Sequence, residues 1–436
     1  MVVALGLGFT LGLSTGGAGA SPRTPPRTGV SAVPGPHGSV HLVADAGGSA
    51  GPAGASERVD EQAVALAEQR FAVRLTSLLD SEGGDANVLV SPMSVAIDLA
   101  MLELGSAGAT RSQIAETLQS QSLSAGAQAT GWHQLVASLT GARGGTTLSL
   151  ANSIWVARGL TVEPGFLDAA ARSFGDDVYQ TSFSSPKAVE AINSWVERAT
   201  AGHIRELFVK GQLTAATELV LANAVHFHGS WAKQYALSAA SVAKAPFRSA
   251  IGALERVYTM RLRGEFPAAL AAGAEAVQLP YGTGRYAALF VQPTTGTLRT
   301  FLRHLSVERL ATLTRSLRVQ AVDLSIPELD LTARESLDEA LGTLGLGPAF
   351  SSADFTPMLG AAGATNQAIG VVEHAASLRV DRYGTDAAAA TGISVITSAV
   401  ESGLTIHFDR PFLVLLRDTE TGAVLFSCAV NNPTAG

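Results

Sequence analysis

Gly384-Thr385-Asp386-Ala387-Ala388-Ala389-Ala390-Thr391-Gly392 is followed by the aliphatic run Ile393-Ser394-Val395-Ile396. An isolated alanine run would normally form helix. Here Gly and Thr stand at both ends, and the β-branched residues that follow favour strand. In a strand, alternate side chains face opposite sides of the sheet. Thr385, Ala387, Ala389 and Thr391 then share one face, and none of them is large or charged. Such a segment could enter the middle of an existing sheet without overpacking the core beneath it. The plainer alternative is a low-complexity surface loop, and the segment alone is compatible with both.

The rest of the chain bounds the class. With 436 residues, 47% hydrophobic and 15% charged, it can bury a large core. The net charge is −7, and the only lysines are Lys187, Lys210, Lys233 and Lys244, with no basic run. Nucleic acid is therefore not an expected partner. The single cysteine, Cys428, rules out an intramolecular disulfide and reads as a buried thiol in the strand-like run 424–430. High Ala and Gly with Arg favoured over Lys suggest a GC-rich bacterial coding sequence.

Residues 1–20 read as an export signal. Val2 to Leu13 is short and apolar, and Ala18-Gly19-Ala20 offers a small-x-small cleavage site. No Lys or Arg precedes the apolar stretch, so an ordinary apolar N-terminus is the alternative. A membrane span would need about twenty apolar residues, and no stretch qualifies. Secretion is the expected localisation. Residues 21–58, rich in Pro, Gly, Ser and Ala, read as a disordered linker. Folding is expected to start near Glu57, where Val64, Ala67, Phe71, Leu75 and Leu78 recur at helical spacing.

Downstream, helices and strands alternate without the rhythm of βαβ units. Asn87 to Pro92 reads as a short strand. Ser91 then caps a helix that has Pro92 at its first position and stops at Gly105. Ser112 to Leu118 and Ala188 to Thr200 read as helices, and Thr147 to Val156 and Leu219 to Phe227 as strands. No repeat and no second linker divides the chain, so residues 59–436 are read as one α+β domain.

Within that domain a series of short motifs falls in order. They include Asn87-Val88-Leu89-Val90-Ser91-Pro92-Met93-Ser94, Ala151-Asn152-Ser153-Ile154-Trp155-Val156, Ile192-Asn193-Ser194-Trp195-Val196 and Leu221-Ala222-Asn223-Ala224-Val225-His226-Phe227-His228-Gly229-Ser230-Trp231. Leu279-Pro280-Tyr281, Glu373-His374, the alanine segment and Asp409-Arg410-Pro411-Phe412 follow. By their order and spacing the chain resembles the serpins from about residue 59 to its end. The resemblance implies three β-sheets, about nine helices and an exposed reactive loop at about 384–404.

It also implies suicide inhibition. A target serine or cysteine protease attacks the loop, and the cut loop enters the main sheet as a new strand before the acyl-enzyme can be hydrolysed. Loop insertion of this kind releases stored strain. The resemblance assigns Gly384, Thr385, Asp386, Ala387, Ala388, Ala389, Ala390 and Thr391 to the hinge. It assigns Ser91, Ser94, Asn223 and His374 to a shutter that controls sheet opening, and Trp231 to a breach where insertion begins. Each also has a plain structural reading: Ser91 as a helix cap, Trp231 as core, His374 as a satisfied buried imidazole. Where the family has an acidic residue before the hinge glycine, this chain has Arg382 and Tyr383, so no ion pair is carried over. The alternative function is a non-inhibitory serpin with a chaperone-like or carrier role.

Counting forward from Gly384 puts the scissile bond at Ser398-Ala399, and counting back from Phe408 puts it at Val400-Glu401. The candidate acyl-side residues are small or aliphatic, and no Lys or Arg lies between Gly384 and His407. That suits an elastase-like or subtilisin-like pocket and not a trypsin-like one. The expected partner is thus a protease, met by a monomer, with no nucleic acid or membrane. Enzyme readings fail on context. Gly12-Leu13-Ser14-Thr15-Gly16 fits a hydrolase elbow but lies in the signal-like segment. His226-x-His228 could offer one face of a metal site, but no third ligand is evident nearby. No metal, cofactor or catalytic residue is expected.

Overall fold

A computed structural model describes residues 30–44, 55–82, 84–175, 178–200, 202–233, 240–363, 365–386 and 403–435. The expected α+β architecture is present. Among these residues there are ten α-helices, two nine-stranded sheets and one two-stranded sheet. No described helix is long and apolar enough to cross a membrane.

The main sheet runs, edge to edge, through Val30–Pro34, Val40–Ala44, Val178–Thr181, Thr146–Ala157, Leu219–Ser230, Gly384–Thr385, Val371–Asp381 and Leu329–Ser336, with Gly141–Arg143 paired to the side. Two of these strands lie inside residues 21–58, which the sequence reading made a disordered linker. Val30–Pro34 and Val40–Ala44 form a hairpin, and the second strand pairs with Val178–Thr181 from Val40↔Gln180 to Leu42↔Val178. The linker reading judged the segment by its own apolar content. The edge strand supplies what the segment lacks: backbone partners, burial of Leu42, and a stacked His41–Tyr179 ring pair at 4.5 Å. Residues 1–29, which hold the signal-like stretch, lie outside the described residues.

The second large sheet carries the C-terminal strands Phe412–Asp418 and Val424–Val430, which are buried almost throughout. Cys428 sits in the latter strand, fully buried, and burial pushes its thiol pKa up, away from a reactive thiolate. Helices Ala55–Leu79 and Pro92–Leu104 pack on this strand in the main core. Pro92–Leu104 is buried along nearly its whole length, so it has no polar face turned to solvent, and its Ser94 and Asp98 are buried with the rest. Ser91 caps it by accepting from Ser94 N at 3.3 Å, with Pro92 at the first position.

A second, smaller core covers the opposite face of the main sheet. Helix Pro186–Ala199 lays Ala188, Ile192, Trp195 and Val196 over Trp155, Val220, Ala222, Ala224 and Ala375. Asn193 ties the chain beyond the helix back onto it. Its Oδ1 accepts from Leu207 N and Phe208 N at 2.8 and 2.9 Å, and its Nδ2 donates to Phe208 O at 2.8 Å. This layer lies over the two strands that flank Gly384–Thr385.

Candidate functional site: a half-opened sheet and its hinge

Strands Leu219–Ser230 and Val371–Asp381 run parallel, and they pair directly only from Val371↔Val220 to Ala376↔Val225. Beyond that they are separated by the first two hinge residues. The chain leaves Asp381, turns through Arg382 and Tyr383, and re-enters the sheet. Gly384 then pairs with Ser230 and Asp381, and Thr385 with Gly229 and Val380. Asp381 closes the turn by accepting from Tyr383 N at 2.7 Å, and Arg382 lies over the Tyr383 ring. These two residues thus start a new central strand between the far ends of the two older strands, four residues beyond their last direct pair.

The close approach demands glycine. Gly384 has φ +150, and a Cβ there would meet Gly229 O at 2.0 Å. Thr385 is 1% exposed, and its hydroxyl is 2.6 Å from the Tyr281 hydroxyl. Tyr281 stacks on Trp231 at 4.3 Å and meets Phe227 edge-on. Trp231 in turn grips the turn itself: Nε1 donates to Asp381 O at 2.8 Å and its backbone N to Tyr383 O at 3.1 Å. Trp231 therefore belongs both to the core and to the top of the opening. Tyr281 belongs there too. Its motif was read, but no role was given to the phenol, because the contact joins residues far apart in sequence.

Below the opening, a buried polar cluster joins helix Pro92–Leu104 to the two parallel strands. His374 and Asn223 are register partners on the two parallel strands, and the Nδ1 of His374 meets the Oδ1 of Asn223. Ser91 N donates to His374 Nε2 at 3.0 Å, so the imidazole is neutral. Asn223 Nδ2 donates to Asp98 Oδ2 at 3.1 Å, and Ser94 Oγ to Asn152 Oδ1 at 2.6 Å. Ser91, Ser94, Asn223 and His374 are thus brought into one network. Asp98 and Asn152 belong to it and were not singled out from sequence. An acid inside the apolar helix 92–104 was the available signal for Asp98.

Burial pushes the His374 pKa down to about 3. An unfolded histidine titrates near 6.5, so between about 3 and 6.5 the unfolded chain binds the extra proton. The stability linked to His374 is complete above pH 6.5 and is lost as pH falls, by up to about 1.4 kcal/mol per pH unit. His374→Gln is expected to be less stable at pH 7 and to show a flatter dependence between pH 6.5 and 4. Denaturant midpoints at fixed incubation time across that range test this. Parallel curves for the two proteins would contradict it.

At the end of the hinge strand stands a group of histidines. His228 Nδ1 donates to Asp386 O at 2.7 Å, His226 Nδ1 lies 3.6 Å from Asp386 Oδ2, and the His203 and His226 rings stack at 4.2 Å. Burial, with His203 and His228 adding, pushes the His226 pKa down to about 4. Burial also raises that of Asp386, against the pull of His203. Ala387, Ala388, Ala389, Ala390 and Thr391, and the scissile-bond candidates Ser398, Ala399, Val400 and Glu401, lie outside the described residues. Gly403 is the next described residue, and Leu404–His407 joins the second large sheet beside Arg318–Pro327.

The profile of the family described as Serpin (serine protease inhibitor) matches residues 66–433. Mouse Serpin A9 is 32% identical over 378 residues, covering 85% of this chain and 88% of its own length. Wheat Serpin-Z1C is 30% identical over 388 residues, covering 84% and 95%. Among solved structures, the thermophilic serpin tengpin in its native state superposes with TM-score 0.77 at 23% identity, covering 88% of this chain and 96% of that one. Human thyroxine-binding globulin in complex with thyroxine superposes with TM-score 0.77 at 26% identity, covering 86% and 100%. With a family match over most of its length and the same fold in solved members, the chain belongs to the serpin family of protease inhibitors.

Proposed function

We propose that this serpin is a secreted, monomeric suicide substrate of serine proteases. It is cut in the loop near 384–404, traps the acyl-enzyme and inserts the cut loop into the main sheet. The observation that carries this reading is the docked hinge. Gly384 and Thr385 already occupy the first two places of a strand between Leu219–Ser230 and Val371–Asp381. The residues that would come next, Asp386 to Thr391, are small apart from Asp386. By strand alternation Asp386 falls on the face away from the Thr385 side chain, so the face entering the core meets nothing bulky. In this reading Trp231 and Tyr281 form the point of entry. The Ser91, Ser94, Asn223 and His374 network sets the resistance to opening.

Incubation with a panel of proteases, read on a denaturing gel, tests the proposal. A stable complex with an elastase-like or subtilisin-like enzyme supports it. Clean cleavage by every enzyme without a complex would favour the second reading, a non-inhibitory carrier. That reading is kept because one structural relative was solved with thyroxine bound.

Target choice rests on the residues at the cut. Thr397, Ser398, Ala399 and Val400 are small or aliphatic, and a trypsin pocket gains nothing from them. Elastase is therefore expected to be trapped and trypsin ignored. The C-terminal peptide released under denaturing conditions is expected to begin at Ala399, Val400 or Glu401 by mass spectrometry. A peptide beginning far outside that span would refute the loop alignment, and efficient trapping of trypsin would refute the specificity.

A further inference from the structure

Three elements that must shift against one another during loop insertion meet at His203, His226 and Asp386. His203 lies just past helix Pro186–Ala199, in the layer that covers the sheet, and its backbone N bonds to Thr200 O at 3.0 Å. His226 is on the strand that borders the opening, on the same face as the helix. Asp386 is the first residue past the docked hinge strand and has φ +50. Each residue can offer one ligand atom, and the three atoms lie within 4.8 Å of one another. We propose that His203, His226 and Asp386 form a site for a divalent transition cation such as zinc, and that the bound ion pins the hinge with only Gly384 and Thr385 inserted. The sequence reading rejected a metal here because the pair His226-x-His228 had no third ligand nearby. The missing ligands come from more than 20 residues before and more than 150 residues after.

The donor set is the one zinc takes, with imidazole nitrogen and carboxylate oxygen at about 2.0–2.2 Å. Two tetrahedral ligands then stand about 3.4 Å apart, and His226 Nδ1 and Asp386 Oδ2 are already at 3.6 Å. Asp386 Oδ2 is buried without a hydrogen-bond partner, while His203 is exposed and leaves a path for the ion. His228 holds the Asp386 carbonyl, which fixes the backbone that presents the carboxylate. The parallel His203–His226 stack must tilt for both rings to aim at one ion.

Pinning follows from the backbone. To continue the strand, Asp386 must leave φ +50 for the extended region and come level with His228, extending the Gly384↔Ser230 and Thr385↔Gly229 register. A cation that ties its carboxylate to His226 and to the covering layer opposes that swing. The binding claim stands on geometry alone, and only its effect on inhibition rests on the proposed function.

The test titrates untagged full-length protein with zinc chloride by calorimetry, beside His203→Ala, His226→Gln and Asp386→Asn. The expected result is one tight site in the wild type and at least a tenfold loss of affinity in each variant. Zinc is also expected to slow amide hydrogen exchange at 384–386 in the wild type and not in Asp386→Asn. Absence of a tight site, or equal binding by wild type and all variants, would overturn the proposal. Unchanged exchange at 384–386 with zinc bound would overturn the pinning. If no protease complex forms with or without zinc, the inhibitory function fails while calorimetry still decides the site. If complexes form, zinc is expected to slow their formation at least tenfold in the wild type and not in Asp386→Asn. An equal rate with and without zinc would overturn the regulatory effect.

Discussion

Cleavage of the chain between Ile393 and Leu404 is expected to raise its thermal midpoint by more than about 10 °C. Most proteins lose stability when nicked, because a constraint is removed and nothing is gained. Here the two strands that would receive the loop pair directly only from Val371↔Val220 to Ala376↔Val225. A strand entering between them replaces one ladder by two. It also buries the small side chains that alternate from Thr385 onward. A net backbone hydrogen bond contributes about 1 kcal/mol, so an added strand of about ten residues is worth on the order of 10 kcal/mol. On the proposed mechanism the intact chain is a kinetically held state, and insertion must part the register partners His374 and Asn223. Differential scanning calorimetry of intact and nicked protein decides the matter. An equal or lower midpoint after cleavage would mean that the loop stays outside the sheet, and would favour the carrier reading.

Replacing Thr385 by Arg is expected to turn the inhibitor into a substrate. Thr385 is 1% exposed and its hydroxyl meets that of Tyr281 at 2.6 Å. A guanidinium there would have to be buried beside the Tyr281 ring, which packs on Phe227 and Trp231. A buried unpaired charge costs several kcal/mol even after relaxation. If about 3 kcal/mol of this enters the barrier to insertion, the race between insertion and deacylation shifts by about a hundredfold. The domain should still fold, since the hinge can withdraw from the sheet and carry the arginine into water. The fraction of protein in the denaturant-stable complex, at saturating target protease, measures the outcome. Undiminished complex would sink the idea that this face must enter the core, while Thr385→Ser should behave as the wild type.

The two parts of the site differ in how far they could be read in advance. Ser91 as a helix cap, and the alternation that sets Thr385 on the core side and Asp386 on the other, follow from rules that act over two to four residues. They need no knowledge of the fold. The motif order carried Ser94, Asn223, His374 and Trp231. Asp98, Asn152 and Tyr281 were missed because their roles are contacts between distant segments. Asp98 meets Asn223 across 125 residues, and Tyr281 meets Thr385 across 104. The hairpin at 30–44 was missed for a related reason. Its strands are only five residues each, and what orders them is pairing with an edge at Val178–Thr181 that lies more than 130 residues away.

By itself, then, the sequence determined the class of fold, the family, and the smallness of the segment that would enter the sheet. Local propensity, side-chain alternation and residue volume are properties of neighbouring residues. Only the tertiary structure decided that the hinge is already docked by two residues, that Trp231 and Tyr281 hold it there, and that His203, His226 and Asp386 converge. Those facts depend on how far one strand has slid between two others. That is set by a balance of ladder hydrogen bonds, glycine clearance at Gly384 and burial of Thr385, which no single stretch of the chain contains.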